Sequence, residues 1–146
     1  MADAPRTLSV SRVIAAPAAE IFDILADPSK HHLIDGSGSV GDSRSGPERL
    51  QLGSKFGMNM KLGIPYIISN KVVEFEENKV LTWAHYGKHR WRYELEEVEG
   101  GTKVTETFDW STAAIPKMIE LMGWPKRHPA NMEKTLERLD ALVTEA

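Results

Sequence analysis

Cysteine is absent from this chain, which removes disulfides, thiolate nucleophiles and cysteine-held metals from consideration at once. Long apolar runs are missing too: no stretch approaches the roughly 20 residues that a membrane-spanning helix needs. The opening MADAPRTLSV lacks the apolar core of a secretory signal. A soluble, cytoplasmic protein with no membrane span is therefore the expectation. Neither sign of charge dominates. With 18 Lys and Arg against 21 Asp and Glu, the formal net charge is −3, too little to draw the whole molecule to nucleic acid or an anionic bilayer. No Walker A loop, Rossmann fingerprint, HExxH or GxSxG occurs. The GSGSVG segment at 36–41 lacks the strand-to-helix context of a nucleophile elbow.

What is present is the composition of one soluble domain, 146 residues with 41% hydrophobic and 27% charged side chains. Its most informative stretch, LTWAHYGKHRWRYELEEVEGGTKVTETFDW from Leu81 to Trp110, holds three of the four tryptophans. Trp91, Tyr93 and Leu95 alternate with Arg90, Arg92, Glu94 and Glu96, the period of a half-buried strand. Gly100-Gly101 reads as the two central residues of a hairpin turn, where both positions need φ > 0. Pairing outward from it predicts Leu95 opposite Glu106, Tyr93 opposite Phe108 and Trp91 opposite Trp110. The loop around Gly87-Lys88 leads back to Trp83 and His85 on the same face. Lys88, Arg90 and Arg92 fall on the other face, so rings and cations cannot form one surface for nucleic acid.

Around this stretch the pattern is regular. Residues 7–14 alternate as a first strand, and Pro17 suits the first helical position of a helix striped by Ile21, Ile24 and Leu25. Asp27-Pro28 ends it and caps a short second helix through Leu33. The Gly- and Ser-rich segment from Gly36 to Gly53 reads as a short edge strand plus a mobile loop. Phe56, Met58 and Met60 alternate as a strand, and 66–76 form another, with Val73 and Phe75 inward because Glu74 and Glu76 need solvent. Ile115, Met118, Ile119 and Met122 fit a short amphipathic helix, broken near Gly123-Trp124-Pro125. Pro129 restarts it, and Met132, Leu136, Leu139 and Val143 form its apolar stripe. An antiparallel sheet has one apolar face to bury, and the last helix is the only element long enough to cover it. A curved sheet folded around one helix tends to leave a concave apolar space, where small molecules bind.

The phrases SRVIAAPAAEIFDILADP, NKVLTW and GGTKVTETFDW, in that order along the chain, resemble the START-like (Bet v 1-type, SRPBCC) superfamily in its polyketide cyclase/dehydrase and lipid-transport branch. The resemblance spans essentially the whole chain. It implies an α+β helix-grip fold in one domain over 1–146: a curved antiparallel sheet of about seven strands wrapped around a long C-terminal helix, with two short helices after the first strand. It also implies an internal hydrophobic cavity open to lipids, sterols, polyketides and other aromatics. Some members are cyclases or aromatases, some carry ligands, and some act as co-chaperones. No family-wide catalytic motif carries over to this chain, so fold is better constrained than activity.

Among residues able to carry chemistry, Glu106 stands first. Alternation places it inward between Val104 and Phe108, where burial without partners would raise its pKa and suit a general acid or base. The plainer reading pairs it with an Arg or Lys, or sets it where the interior opens to water. His85 faces inward in the same register, with His89 roughly across from it. Two histidines fall short of the three or four ligands of a zinc site, and His31-His32 are adjacent on another element and share no face. No metal or other cofactor is expected. Trp83, Trp91, Tyr93, Phe108 and Trp110, with Trp124, form an aromatic wall, and Met58, Met60, Met118, Met122 and Met132 add flexible lining. Ordinary core packing accounts for such stripes equally.

The expectation is thus a domain that binds a hydrophobic small molecule between sheet and C-terminal helix. His85 and Glu106 would orient the ligand, and the Gly36–Gly53 loop would gate entry. The alternatives are a polyketide cyclase, aromatase or dehydratase using Glu106 or His85 as acid or base, and a co-chaperone-like interaction module working through the charged outer face of the sheet.

Overall fold

A computed structural model of the chain describes residues 6–27, 30–35, 40–45, 49–62, 64–85, 89–121 and 123–144, with the backbone alone at 32, 40–45, 58–62, 64–68, 85 and 124–127. In chain order the elements are β1 (Thr7–Ile14), α1 (Ala18–Leu25), α2 (His31–Ile34), β2 (Val40–Ser45), β3 (Lys55–Leu62), β4 (Ile64–Glu76), β5 (Val80–His85), β6 (Arg90–Val98), β7 (Gly101–Asp109), α3 (Pro116–Leu121) and α4 (Trp124–Thr144). The seven strands form one antiparallel sheet of order β1-β7-β6-β5-β4-β3-β2. From β2 to β7 each strand pairs with its successor, and β1 returns to pair with β7. This is the helix-grip arrangement that the family resemblance implies.

Local chemistry accounts for the helices. Pro17 is the N-cap of α1, one position earlier than expected, and its carbonyl accepts from Glu20 and Ile21 N–H. Ile21, Phe22, Ile24 and Leu25 of α1 are buried. On α4, Met132, Leu136 and Leu139 are buried and Val143 packs beside them, while Glu133, Lys134, Glu137 and Arg138 are exposed. The main core joins these helices to Ile14, Leu81, Tyr93, Leu95 and Val104 of the sheet. Each fully buried side chain of this size contributes roughly 1.5–3 kcal/mol. A second cluster, Phe108, Trp110, Ile119 and Met132, lies toward α3.

Three details correct the sequence pattern. Helix α4 begins at Trp124 and runs through Pro129 without restarting there. Pro129 falls in the second turn, where it removes one hydrogen bond next to a helix end already short of them. Strand β4 carries a register shift between Val72 and Glu74, so Val72 is buried and Val73 only half-buried, while Phe75 faces in against Phe22 at 5.5 Å. The extra residue of a bulge lets both sides of the shift point apolar groups inward.

The third correction concerns the β6–β7 hairpin. Val98 pairs with Gly101, so the central turn residues are Glu99 and Gly100, and the register sets Leu95 opposite Val104, Tyr93 opposite Glu106 and Trp91 opposite Phe108. The expected register is off by two residues, which preserves every face and changes every partner. Gly100 supplies the positive φ of the turn, at 90°. Gly101 (φ 152°) is needed for another reason: a Cβ there would lie 2.0 Å from the Ile14 carbonyl oxygen of β1. Gly101→Ala should therefore lower stability by at least about 3 kcal/mol, since β1 backbone must move. Gly100→Ala, which meets open space, should cost only about 1–2 kcal/mol of backbone strain. Chemical denaturation of the two variants checks the order, and equal losses would place both glycines in the turn alone.

Candidate functional site

Register across the sheet builds the inner face row by row. One row runs Val10, Glu106, Tyr93, Leu81, Phe75, and the next runs Leu8, Phe108, Trp91, Trp83, Val72. Glu106 is thus inward, as its alternation requires, and 3% exposed. Its partner is a phenol rather than the expected Arg or Lys: Tyr93 Oη donates to Oε1 at 2.9 Å. The second oxygen, Oε2, is buried with no hydrogen-bond partner among the described residues. Burial pushes the Glu106 carboxyl up to about 8, and the Asp35 charge pushes the same way, against the opposing Tyr93 hydrogen bond. Burial likewise raises the Tyr93 phenol well above its ordinary value, with the Glu106 charge adding to it. At neutral pH Glu106 is therefore a largely protonated acid, and with Tyr93 donating to Oε1 its proton belongs on Oε2.

Rings surround this pair. Trp83 lies 5.5 Å from Tyr93 and 5.9 Å from Phe56, and Trp91 lies 4.7 Å from Phe108. Two histidines that the sequence pattern did not place here join them. His31 of α2 stacks on Trp83 at 4.9 Å, and its Nε2–H donates to the Leu25 carbonyl at 2.8 Å. His128 of α4 packs against Phe108 at 4.6 Å and Trp91 at 5.1 Å. Setting His31-His32 aside as a pair obscured that one of them alone can face the sheet; the amphipathic position of Leu25 and Ile34 around it was the available signal. Asn70 is a further missed group, buried beside Phe56 with Oδ1 unpartnered among the described residues.

The remaining expected residues divide. His89 is buried against Phe108 at 5.7 Å, and the β5–β6 register, continued past Ala84 and Arg90, sets it across from His85. Trp110 is buried against Phe108, but its indole N–H leaves the interior to meet Glu120 at 3.0 Å. Met118 is a correction: it is 52% exposed on the outside of α3, where the short helix buries Ile119 alone. The side chains of Met58, Met60, His85, Met122 and Trp124 lie outside the described residues, as do 36–39 and 46–48 of the Gly36–Gly53 segment. The later part of that segment is tied down, with Leu50 fully buried and Arg49 bound to Asp23 and Glu77. A cleft of about 230 Å³ between β1 and α4, lined by Val10, Arg12, Leu136 and Glu137 among others, opens one strand away from Glu106.

The family described as polyketide cyclase/dehydrase and lipid transport matches residues 5–144. The chain belongs to this family. It is 43% identical over 141 residues to an uncharacterized protein of Mycobacterium tuberculosis strain H37Rv and 42% identical to another from strain CDC 1551, in each case over 92% of this chain. The chain spans 63% of the length of these relatives. Among solved structures it is similar to a Nitrosomonas europaea protein, with a TM-score of 0.76 and 20% identity over 99% of this chain and 97% of that one. An AHSA1-like protein from Aeromonas hydrophila gives 0.66 and 17%, over 93% of each chain. At these identities the likeness is one of fold.

Electrostatics give this family member a definite pH profile. Folded Glu106 keeps its proton up to about 8, whereas the unfolded carboxyl has released it, so stability falls as pH rises through that window and levels off above it. Burial lowers His31 below 6.5 and His89 to about 4; these neutral rings cost stability as pH falls below 6.5. Two histidines outweigh one carboxyl on the acid side, placing the stability maximum of these three groups near 6.5. Glu106→Gln should remove the alkaline decline and gain on the order of 3 kcal/mol at pH 8. Denaturation profiles that run parallel for the two proteins between pH 6.5 and 8 would refute the buried acid.

Proposed function

We propose that the space between the inner face of the sheet and α4 binds a hydrophobic small molecule, lipid-like, polyketide-like or otherwise aromatic, bearing a hydrogen-bond acceptor that Glu106 addresses. The observation that carries this reading is the half-satisfied acid. A buried carboxyl with one oxygen bonded to Tyr93 and the other unpartnered among the described residues leaves a donor with nothing there to accept from it, an arrangement that costs stability unless something does. A ligand carbonyl or hydroxyl does so while its apolar body covers Trp83, Trp91 and Phe108. Apolar burial contributes roughly 25 cal/mol per Å² before association costs, enough for micromolar affinity with no catalysis. The family description, which includes lipid transport, supports the same direction.

The geometry also favours a second reading by one specific feature. An acid held near pH 8 beside a phenol is matched to protonating a carbonyl oxygen at neutral pH, as a cyclase or dehydratase step requires. Both readings use Glu106, and they separate on turnover.

Native mass spectrometry of freshly purified protein, followed by tryptophan-fluorescence titration with a long-chain fatty acid and a polycyclic aromatic ketone, provides the test. Binding of the ketone should weaken as pH rises through about 8, where Glu106 loses the proton it donates. In Glu106→Gln the amide still donates, so neutral-pH affinity should stay within about tenfold and the alkaline loss should disappear. Failure of every hydrophobic probe to quench the tryptophans, with none retained on purification, would sink the pocket. Turnover abolished in Glu106→Gln with binding intact would favour the enzyme.

A further inference from the structure

Besides Glu106, the inner face buries a second polar side chain with an atom left over. Asn70 of β4 is 3% exposed, while Ser69 and Lys71 on either side of it are exposed. The next inward residues along and across the sheet, Val72 and Phe56, belong to the core. Asn70 Oδ1 meets no hydrogen-bond donor among the described residues. Asparagine is depleted in strands, and an orphaned buried acceptor costs stability, so folding alone gives no reason for an amide here. Register fixes where it stands. Glu106 is in one row with Tyr93, Leu81 and Phe75, whereas Asn70 is across from His85, four positions further along β5 and three strands over from β7. At the rise and spacing of β-strands this is about 13 Å along the sheet and about 14 Å across it. Trp91 and Trp83, paired with each other in the row after Glu106, lie on the diagonal between the two groups. A donor at Glu106 and an acceptor at Asn70 thus stand at opposite ends of a run of indole rings.

We propose that the interior takes an elongated molecule that is polar at both ends, of the ω-hydroxy long-chain acid class. Its carboxylate accepts from Glu106 Oε2, its apolar body covers Trp91 and Trp83, and its distal hydroxyl donates to Asn70 Oδ1. This rests on the reading of Glu106 given above and adds the far end of the ligand. The orientation is set by chemistry, because a carboxylate has no proton to give Oδ1. Length is set by the sheet: the two groups are on the order of 15–20 Å apart, a span for an extended chain and too long for a compact ring system.

Tryptophan-fluorescence titration of the full chain with palmitic acid and with its ω-hydroxy derivative tests the far end. The parent should bind the hydroxy acid about fivefold more tightly. In Asn70→Leu, close in volume, the buried hydroxyl has no acceptor, so the order should invert, with the hydroxy acid about tenfold the weaker. The thermal midpoint of that variant without ligand should not fall, since an apolar group replaces an orphaned one. A series of ω-hydroxy acids from capric to stearic, run on the parent alone, should show an optimum at the length that joins the two groups, whereas the plain acids should only tighten with length. Equal or weaker binding of the hydroxy acid by the parent, as expected if solvent satisfies Oδ1, overturns the proposal and leaves the pocket standing. A hydroxyl preference that survives Asn70→Leu does the same. Absence of binding by every chain, plain and hydroxylated, removes the pocket and the proposal together.

Discussion

The close approach of Gly101 to the Ile14 carbonyl fixes where β7 lies between β1 and β6, and the inner face takes its chemistry from that position. No side chain fits between the two backbones, so the residue of β7 that passes Ile14 has to be a glycine. Thr102 beside it is held as well, its hydroxyl donating to the Ala16 carbonyl at 2.8 Å. With that end fixed, Glu106 stands opposite Tyr93 on one side and Val10 on the other. A slip of two residues would keep Glu106 inward but set it opposite Leu95, with no phenol across the strand. The carboxyl would then be buried without its one hydrogen bond, at a cost of about 1–3 kcal/mol. Backbone sterics at one end of the sheet thus decide the electrostatics in its middle.

A buried carboxyl that meets no cation among the described residues has to be reconciled with folding. Burying an ionised group unpaired is costly enough that the group shifts its pKa and neutralises instead, and Glu106 is pushed up to about 8. Its environment keeps it in that form: Tyr93 is itself held protonated by burial, and the charge of Asp35, like-signed, pushes its pKa further up. The cations of the same hairpin serve the other face, where Arg92 meets Glu74 at 2.8 Å and is also paired with Glu94. Segregating the ion pairs to the outer surface and the neutral acid to the inner one gives the sheet two chemically distinct sides.

How much of this was legible in the sequence follows from what periodicity encodes. Alternation fixes the face of a residue, so the inward placement of Trp83, Tyr93, Glu106 and Phe108 could be read directly. It is blind to a slip of two, and centring the turn on Gly100-Gly101 rather than on Glu99-Gly100 produced that slip. The choice rests on β1, far away in sequence. For the same reason the bulge at Val72 was invisible, because it depends on what β5 places opposite. His31 and His128 escaped because they reach the rings from helices whose docking is a tertiary matter. Met118 misled because a one-and-a-half-turn amphipathic pattern does not say how much of its stripe a short helix can bury; here only Ile119 is covered.

Trp110 ties the interior to the surface. It follows β7 directly, stacks on Phe108 at 5.4 Å and sends its indole N–H to Glu120 on α3. Phe108 in turn contacts Trp91 and His128, the rings a bound molecule would meet. In a close-packed interior a ring cannot shift without its neighbours giving way. Whatever displaces Phe108 is therefore felt by Trp110 and, through the Glu120 carboxylate, by the helix that exposes Met118 and Leu121. Arg6 holds that carboxylate from the start of β1, and Trp110 N–H donates to the Arg6 carbonyl at 3.0 Å. The link is therefore anchored to the same edge of the sheet that positions Glu106. An aromatic interior and an apolar outer helix, joined by one tryptophan with a partner on each side, are the parts from which coupling between an inner occupant and an outer surface can be built.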